Sequence, residues 1–315
     1  MRFGGLVLGM AAFATGITNL IWGAFDPAEE PIAAWGNNLS GNGIFADVVA
    51  ILLIAGGAAL LWRSAVPFGA TVLAMCYLLF TTFCLPRLVT APHYLGWLHA
   101  IGAAVGVGQN AVVVAAATIL YALSTARRSL QLENLTQIAR WIFGFFTIIF
   151  GLGHLTSVGS VAAMVPKWMP LGGNFWAIVT GIAFVLAGIG ILCGVLDVLA
   201  ARLLALMLLI FSLLALAPLI FSYPHDHAAW GVNVYNIAAI GAALILAEWL
   251  ARRQPELREP LKKSLSPPGG FDRKAAICGV KGSVTDLLSM LPRLFLASGG
   301  FGVQTIGTPT SAEVP

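Results

Sequence analysis

The sequence predicts an all-α integral membrane protein of eight transmembrane helices, arranged as two tandem four-helix bundles. Apolar residues make up 59% of the chain and charged residues only 10%, whereas a soluble domain carries about 25% charged residues. Eight apolar runs approach or exceed the length needed to cross a bilayer. The second half of the chain also echoes the first. These observations together place the chain in lipid.

The apolar runs define the predicted spans, which must be helical because unpaired backbone groups in hydrocarbon are costly. In chain order they lie at 3–25, 44–62, 67–85, 97–124, 138–157, 174–195, 200–221 and 231–250. A polar link at 124–137 separates two predicted modules, 1–125 and 138–250. From residue 251 proline, serine and glycine become frequent, which predicts a cytoplasmic and largely disordered tail over 251–315.

Three pairs of similar segments carry the internal repeat. The first pair shares the pattern Pro-x5-Pro-His after a long apolar run. The pairs are 86–93 with 218–225, 16–20 with 151–155, and 54–56 with 186–188. A module of four helices, an even number, predicts two copies that run in the same direction through the membrane.

The basic residues predict the orientation. If the N-terminus is inside, the outer side receives only Arg87 and Lys167, and the inner side receives the rest: Arg2, Arg63, Arg127, Arg128, Arg140, Arg202, Arg252, Arg253 and the basic residues of the tail. This asymmetry follows the positive-inside rule and predicts a bacterial inner (plasma) membrane protein with both termini in the cytoplasm. No basic stripe is interleaved with aromatic residues, which argues against nucleic acid as a partner.

The histidines are the main candidates for a polar site. All five are predicted at or just beneath the outer face: His93, His99, His154, His225 and His227. An ionisable group within a span is costly and therefore suggests a function. Helical spacing places His154 on one face with Gly144, Thr147 and Gly151, and His99 on another with Gly102, Gly106, Gln109 and Asn110.

Stripes of small residues have a structural interpretation as well. They let a neighbouring backbone approach, and one polar side chain then adds an interhelical hydrogen bond. This alternative applies to Asn19, Gln109, Asn110 and His154. Further along, Asn233, Tyr235 and Asn236 are interpreted as interfacial anchors and caps, and Glu248 with Arg252 as an i,i+4 ion pair.

A possible metal site lies between the last two spans. The segment Pro-His-Asp-His at 224–227 offers His225, Asp226 and His227, which suit zinc, copper or nickel. His154 would supply a further ligand if the fifth helix meets this loop. The alternative is a solvated loop with a proline turn that caps the eighth helix. His93 and His225 occupy equivalent positions in the repeat, which indicates a common structural role at the outer rim and not one shared active centre.

The second module carries a recognisable set of motifs. They are Phe-Gly-Leu-Gly-His at 150–154, Pro-x-Trp-x-Pro at 166–170, Thr-Gly at 180–181 and Ala-Gly at 187–188. In this set, which covers about 138–250, the chain resembles the DoxX-like family of small four-helix membrane proteins. The positions that match are His154, Pro166, Trp168 and Pro170. The first module has Asn19 in the place of His154 and lacks the Pro-x-Trp-x-Pro loop.

The resemblance implies a membrane subunit, in some relatives linked to quinone-dependent sulfur oxidation or to redox stress, with no transferable catalytic set. Three functions stay open. The first is a scaffold or subunit that binds a membrane or periplasmic protein. The second is a redox or quinone-interacting subunit with an outward-facing histidine site and a quinone or transition metal. The third is a small-solute transporter. The sequence contains no nucleophile motif, P-loop or dinucleotide fingerprint, which favours a non-enzymatic role, with a membrane oxidoreductase subunit as the alternative.

Overall fold

The computed structural model describes residues 3–26, 42–126 and 129–265 of the chain. All regular structure in these ranges is helical, as the sequence predicts. The helices are α1 (Phe3–Trp22), α2 (Asn42–Ala59), α3 (Val66–Cys84), α4 (Arg87–Leu95), α5 (His99–Ser124), α6 (Leu130–Thr156), α7 (Val158–Met164), α8 (Gly172–Cys193), α9 (Asp197–Phe211), α10 (Ala217–Ser222) and α11 (His227–Leu265). A π-helical turn, Ser212–Leu216, joins α9 to α10.

Seven helical segments of the described chain are long and apolar enough to cross a membrane. They are Phe3–Trp22, Val66–Leu95, His99–Ser124, Leu130–Thr156, Gly172–Cys193, Asp197–Ser222 and His227–Arg253. The remaining predicted span, 44–62, corresponds to α2, which is apolar but has only 18 residues. At 1.5 Å per residue it reaches about 27 Å, slightly less than a typical hydrocarbon core.

Several boundaries differ from those predicted. α6 begins at Leu130 instead of 138 because Ser129 caps it, its hydroxyl accepting from the Leu132 N–H at 3.2 Å. α11 begins at His227 and continues to Leu265, so the segment predicted as a disordered tail begins as helix. Residues 266–315 and three of the basic residues that set the predicted orientation (Arg2, Arg127 and Arg128) lie outside the described residues.

Two helix pairs meet through glycines in the same way. Between α1 and α2, a Cβ added to Gly57 would lie 2.6 Å from both Gly9 O and Phe13 N. Between α6 and α8, a Cβ added to Gly188 would lie 2.7 Å from Gly144 O and 2.9 Å from Ile148 N. Each glycine thus lets one helix rest directly on the backbone of the next.

Each of these two helix pairs has a second glycine contact, and the second contacts also match each other. A Cβ on Gly16 would meet Ala50 O and Ile54 N, and a Cβ on Gly151 would meet Gly181 O and Val185 N. These contacts confirm the predicted packing role of the stripe that contains Gly151. The sequence repeat, 54–56 with 186–188, pairs Gly188 with Gly56. The contacts instead align Gly188 with Gly57, one residue later.

Helices from both predicted modules also pack against each other. A Cβ on Gly4 of α1 would lie 2.8 Å from Ile245 N of α11, and a Cβ on Gly241 would lie 2.6 Å from Leu8 N. Gly108 of α5 lies directly against the ring of Phe146 on α6. Residues up to Leu257 form one compact unit, so any cavity between the modules is part of a single folded body.

Arg140 closes the end of α8. Its Nε and Nη2 donate to Ile191 O at 2.8 and 2.6 Å, and Nη2 lies 3.8 Å from Asp197 Oδ2. Helix C-termini leave carbonyl groups without intrahelical partners and carry a partial negative charge. Gly194, at φ 74°, ends α8. The guanidinium therefore supplies hydrogen-bond donors to a carbonyl group in the last turn of this helix. The predicted Glu248–Arg252 ion pair is confirmed, at 2.6 Å.

We expect Arg140→Met to lower the melting temperature of the detergent-purified protein. The change removes charge-assisted hydrogen bonds worth about 2 kcal/mol, equivalent to about 4–8 °C. Circular dichroism at 222 nm measures the transition. Arg202→Met is the matched control because Arg202 is exposed. Equal melting temperatures for the two variants would contradict the role assigned to Arg140.

Candidate functional site

The first histidine site joins α11 to α1. His227 Nε2 lies 3.2 Å from Asn19 Oδ1, and both side chains are buried. Because an amide oxygen only accepts, Nε2 is the donor. The imidazole also stacks on Trp22, with ring centroids 4.7 Å apart. This contact confirms the interhelical hydrogen bond predicted for Asn19. Asn110 likewise links two helices, its Nδ2 donating to Cys84 Sγ at 3.7 Å.

The second histidine site is separate and lies near the end of α6. His154 Nδ1 is 3.0 Å from Phe150 O, and since a carbonyl oxygen only accepts, Nδ1 is the donor. In a neutral imidazole the other nitrogen, Nε2, is then an acceptor. The ring is stacked with Phe211 at 6.0 Å between centroids, and it lies 5.0 Å from Phe184. His154 is thus held in one orientation by its own helix and by two aromatic neighbours.

His154 lines a cavity of about 360 Å³ between α5, α6, α8, α9 and α11. Most of its wall is aliphatic or aromatic, including Phe143, Phe150 and Val112. Six polar residues also line it: Gln109, Thr147, His154, Ser157, Tyr235 and Asn236. Small-molecule sites in proteins typically combine an apolar wall of this kind with a small number of polar groups.

Only some of these polar groups are available to a ligand. The Thr147 hydroxyl donates to Phe143 O at 2.7 Å, and Asn236 Nδ2 donates to Leu208 O and Ser212 Oγ. Gln109, His154 Nε2 and the hydroxyl groups of Ser157 and Tyr235 form no side-chain hydrogen bond to any described residue. These four groups can therefore bind a molecule inside the cavity.

The π-helical turn that joins α9 to α10 forms part of the same wall through Leu216 and Ala215. Such turns disturb the regular backbone hydrogen-bond pattern and often occur at functional sites. Asn233 Nδ2 donates to Leu216 O at 2.7 Å, and Asn236 bonds to Leu208 O just before the turn. Both side chains are buried, so the prediction of interfacial anchors and caps is wrong for them.

The sequence did contain a signal for this feature. Pro218 interrupts an apolar run, and a proline inside a helix disturbs the backbone hydrogen bonds of the turn before it. Two asparagines in the neighbouring span are side chains that can donate to backbone carbonyl groups of such a helix. The packing role predicted for the stripe of Gly102 and Gly106 is wrong, because a Cβ on either glycine would meet nothing within 4 Å. Gly102 lines the cavity instead of a packing seam.

The loop at 224–227 behaves mainly as a helix cap. Asp226 Oδ1 accepts from the Ala228 N–H at 3.0 Å, and Trp230 Nε1 donates to Pro224 O at 3.0 Å. His225 is exposed, as are His93 and His99. The described part of the chain has no group of three or more His, Cys, Asp or Glu side chains placed to hold a metal ion. The described residues therefore do not join His154 to this loop in one metal site.

The Pro-x-Trp-x-Pro loop leads into α8. Trp176 Nε1 donates to Pro170 O at 2.8 Å, which is the same six-residue contact that Trp230 makes with Pro224. The Met169 N–H donates to Pro166 O at 3.0 Å, and Trp168 is exposed. Pro166 and Pro170 thus shape a turn beside the cavity, to which the adjacent Val165 contributes.

The resemblance to the DoxX-like family rests on the sequence motifs alone and stays a prediction. Comparisons of the chain with models of protein families, with curated proteins and with solved structures found no match.

Proposed function

We propose that this membrane protein binds a lipid-soluble quinol in the cavity beside His154. One observation carries the proposal: the Nδ1 bond to Phe150 O leaves Nε2 as a hydrogen-bond acceptor inside an aromatic cavity of about 360 Å³. A quinol hydroxyl is a donor that such a nitrogen would bind, and its ring would pack against Phe184 and Phe211. The Gln109 amide can bind the other end of the ring.

The bilayer is the source of the ligand. The cavity is formed by helices of membrane-spanning length, and open space beside Gly102 on α5 leaves room for an entering ring. Apolar burial supplies most of the affinity, and the few polar groups fix the orientation. Binding is the whole of this proposal. A role as a scaffold or subunit of a larger complex, and transport of a small solute, both stay predictions.

The proposed membrane arrangement has eight crossings, two modules in the same direction and cytoplasmic termini in a bacterial inner membrane. The matched glycine contacts of α1 with α2 and of α6 with α8 support the duplication. α2 is short of the usual span by about 3 Å, which local thinning of the bilayer accommodates at a modest cost. Labelling of single cysteines introduced at Arg63 and Lys167 tests the orientation: Arg63 should be reached only from the cytoplasm and Lys167 only from outside.

We expect His154→Phe to weaken quinol binding by about 2- to 12-fold, because it removes one hydrogen bond worth about 0.5–1.5 kcal/mol and keeps the aromatic volume. Affinity for the corresponding quinone should change little, since a quinone carbonyl cannot donate to Nε2. Isothermal titration calorimetry with a short-chain quinol and its oxidised form, kept under nitrogen, measures both affinities.

His99→Phe is the control, because His99 is exposed and lies outside the cavity lining. Wild-type protein that binds neither form would rule out the proposal. Equal losses for quinol and quinone in His154→Phe would show that the histidine shapes the cavity and does not accept the hydroxyl proton.

A further inference from the structure

A separate cavity, of about 450 Å³, lies at one end of the helical bundle. Its lining comes from the end of α5 and the turn after it, the beginning of α6, and α11 up to Arg253. In a bilayer, this end of the bundle lies among the lipid headgroups, because the membrane-spanning segments His99–Ser124, Leu130–Thr156 and His227–Arg253 begin or end here. Six of the lining residues are polar or charged: Thr125, Ser129, Glu133, Thr136, Arg252 and Arg253.

Arg253 is held in a defined orientation at this cavity. Its guanidinium lies over the Trp249 ring, 4.7 Å from the centroid, and its Nη1 donates to Gln137 Oε1 at 2.7 Å. Both of these partners are neutral, and no described carboxylate forms an ion pair with Arg253. A guanidinium has five N–H donors, so most of the donors of Arg253 remain for a ligand.

Two further groups of the lining can donate to the same ligand. Arg252 Nη2 pairs with Glu248 Oε1 at 2.6 Å, which leaves the other N–H groups of Arg252 available. The Thr125 hydroxyl oxygen is buried and forms no hydrogen bond with a described residue. A buried hydroxyl without a partner is costly, and a ligand oxygen that accepts its proton would remove that cost.

Glu133 gives the cavity a negative charge as well. Among the described residues, its carboxylate forms no ion pair with Arg252 or Arg253, although all three side chains line one cavity. Because Glu248 balances Arg252, the cavity keeps one positive charge, on Arg253, and one negative charge, on Glu133. This arrangement complements a ligand that carries both signs of charge on separate atoms, whereas Glu133 would repel a simple anion.

We propose that this cavity binds the headgroup of a phospholipid that joins a phosphate to a primary ammonium, for which phosphatidylethanolamine is the probe. Arg253, Arg252 and the Thr125 hydroxyl donate to the phosphate oxygens, and Glu133 accepts from the ammonium. The alanine, leucine and tryptophan side chains of the lining pack against the glycerol and the first acyl carbons. This site is independent of the quinol proposal, because its test requires no quinol.

The test measures the affinity of the purified full chain in detergent for short-chain lipids by calorimetric titration, with native mass spectrometry to count the bound lipids. We expect one phosphatidylethanolamine per chain. Phosphatidylcholine should bind more weakly because its trimethylammonium cannot donate to Glu133, and phosphatidylglycerol should bind more weakly because it has no cation. Free phosphoethanolamine should bind more weakly than the lipid, because it has no acyl chains.

Three variants separate the contacts. Arg253→Gln should weaken binding of phosphatidylethanolamine by at least about tenfold, since charge-assisted hydrogen bonds are lost. Glu133→Gln should weaken it by about 2- to 5-fold, because the lost ion pair is exposed, and should strengthen binding of phosphatidylglycerol. Arg202→Gln is the control, because Arg202 is exposed and lies outside the cavity lining.

Thr125→Val protects the test against a folding defect in Arg253→Gln. The Thr125 hydroxyl forms no hydrogen bond that valine would remove, so the lipid-free variant should melt no lower than the wild type. Its affinity for phosphatidylethanolamine should fall by about 2- to 12-fold. Equal affinities of the wild type for the three lipids, or unchanged affinity in both Thr125→Val and Glu133→Gln, would overturn the proposal. Free phosphoethanolamine that binds as tightly as the lipid would overturn the assignment to a lipid.

Discussion

Gly188→Leu is expected to prevent the protein from folding. A Cβ at this position would lie 2.7 Å from Gly144 O and 2.9 Å from Ile148 N, both backbone atoms of α6. Backbone atoms cannot turn aside as a flexible side chain does, so leucine must push α8 away from α6. Overpacking usually costs about 1–3 kcal/mol and sometimes more, and here the whole side chain meets a helix backbone. Size-exclusion chromatography in detergent should show loss of the monodisperse peak.

Gly106→Leu is the matched control, since its Cβ would meet nothing within 4 Å. Replacing a helical glycine by leucine should stabilise α5 by somewhat less than about 1 kcal/mol. We therefore expect this variant to elute as the wild type does and to melt at the same or a higher temperature. If Gly188→Leu behaved like the control, the direct backbone contact between α6 and α8 would be wrong.

Gly102→Trp is expected to abolish quinol binding while the protein stays folded. Gly102 lines the cavity, and a Cβ there meets nothing within 4 Å, so the indole can enter without strain. An indole is large enough to fill much of a cavity of about 360 Å³. We expect a loss of affinity greater than about tenfold, which corresponds to more than about 1.4 kcal/mol. Calorimetric titration with the short-chain quinol measures it.

Gly106→Trp controls for the added aromatic group. Gly106 lies one turn further along α5 in open space, and it does not line this cavity. Its variant should therefore bind quinol as the wild type does. Retained binding in Gly102→Trp would place the ligand elsewhere, and equal losses in both variants would point to an effect on detergent or lipid contacts of α5.

The two glycine stripes show where prediction from the sequence reached its limit. Gly144 and Gly151 lie seven residues apart on α6, and Gly102 and Gly106 lie four apart on α5. Both spacings place the two glycines on one face of a helix, so the sequence predicts the same packing role for both stripes. Only the first stripe receives a neighbouring helix. Small residues permit close approach, but the position of the partner depends on how every other helix packs.

The histidines show the same limit. Their placement near helix ends followed from the hydrophobic runs, yet His227 bonds to Asn19 whereas His154 faces an aromatic cavity. His227 uses its Nε2 in the hydrogen bond that joins α11 to α1, whereas His154 keeps its Nε2 available to a ligand. Residue type and spacing do not distinguish these states, because both depend on side chains far away in the chain.

The sequence by itself determined that the chain is helical and built for a membrane, because long apolar runs can satisfy their backbone hydrogen bonds in lipid only within each segment. Only the tertiary structure decided that α2 is short, that Asn233 and Asn236 bond across to the helix containing the π turn, and that Thr125 and Arg253 line one cavity. Helix formation is a local property of the sequence. A cavity exists only where several helices fail to fill the same space, and no single segment encodes that outcome.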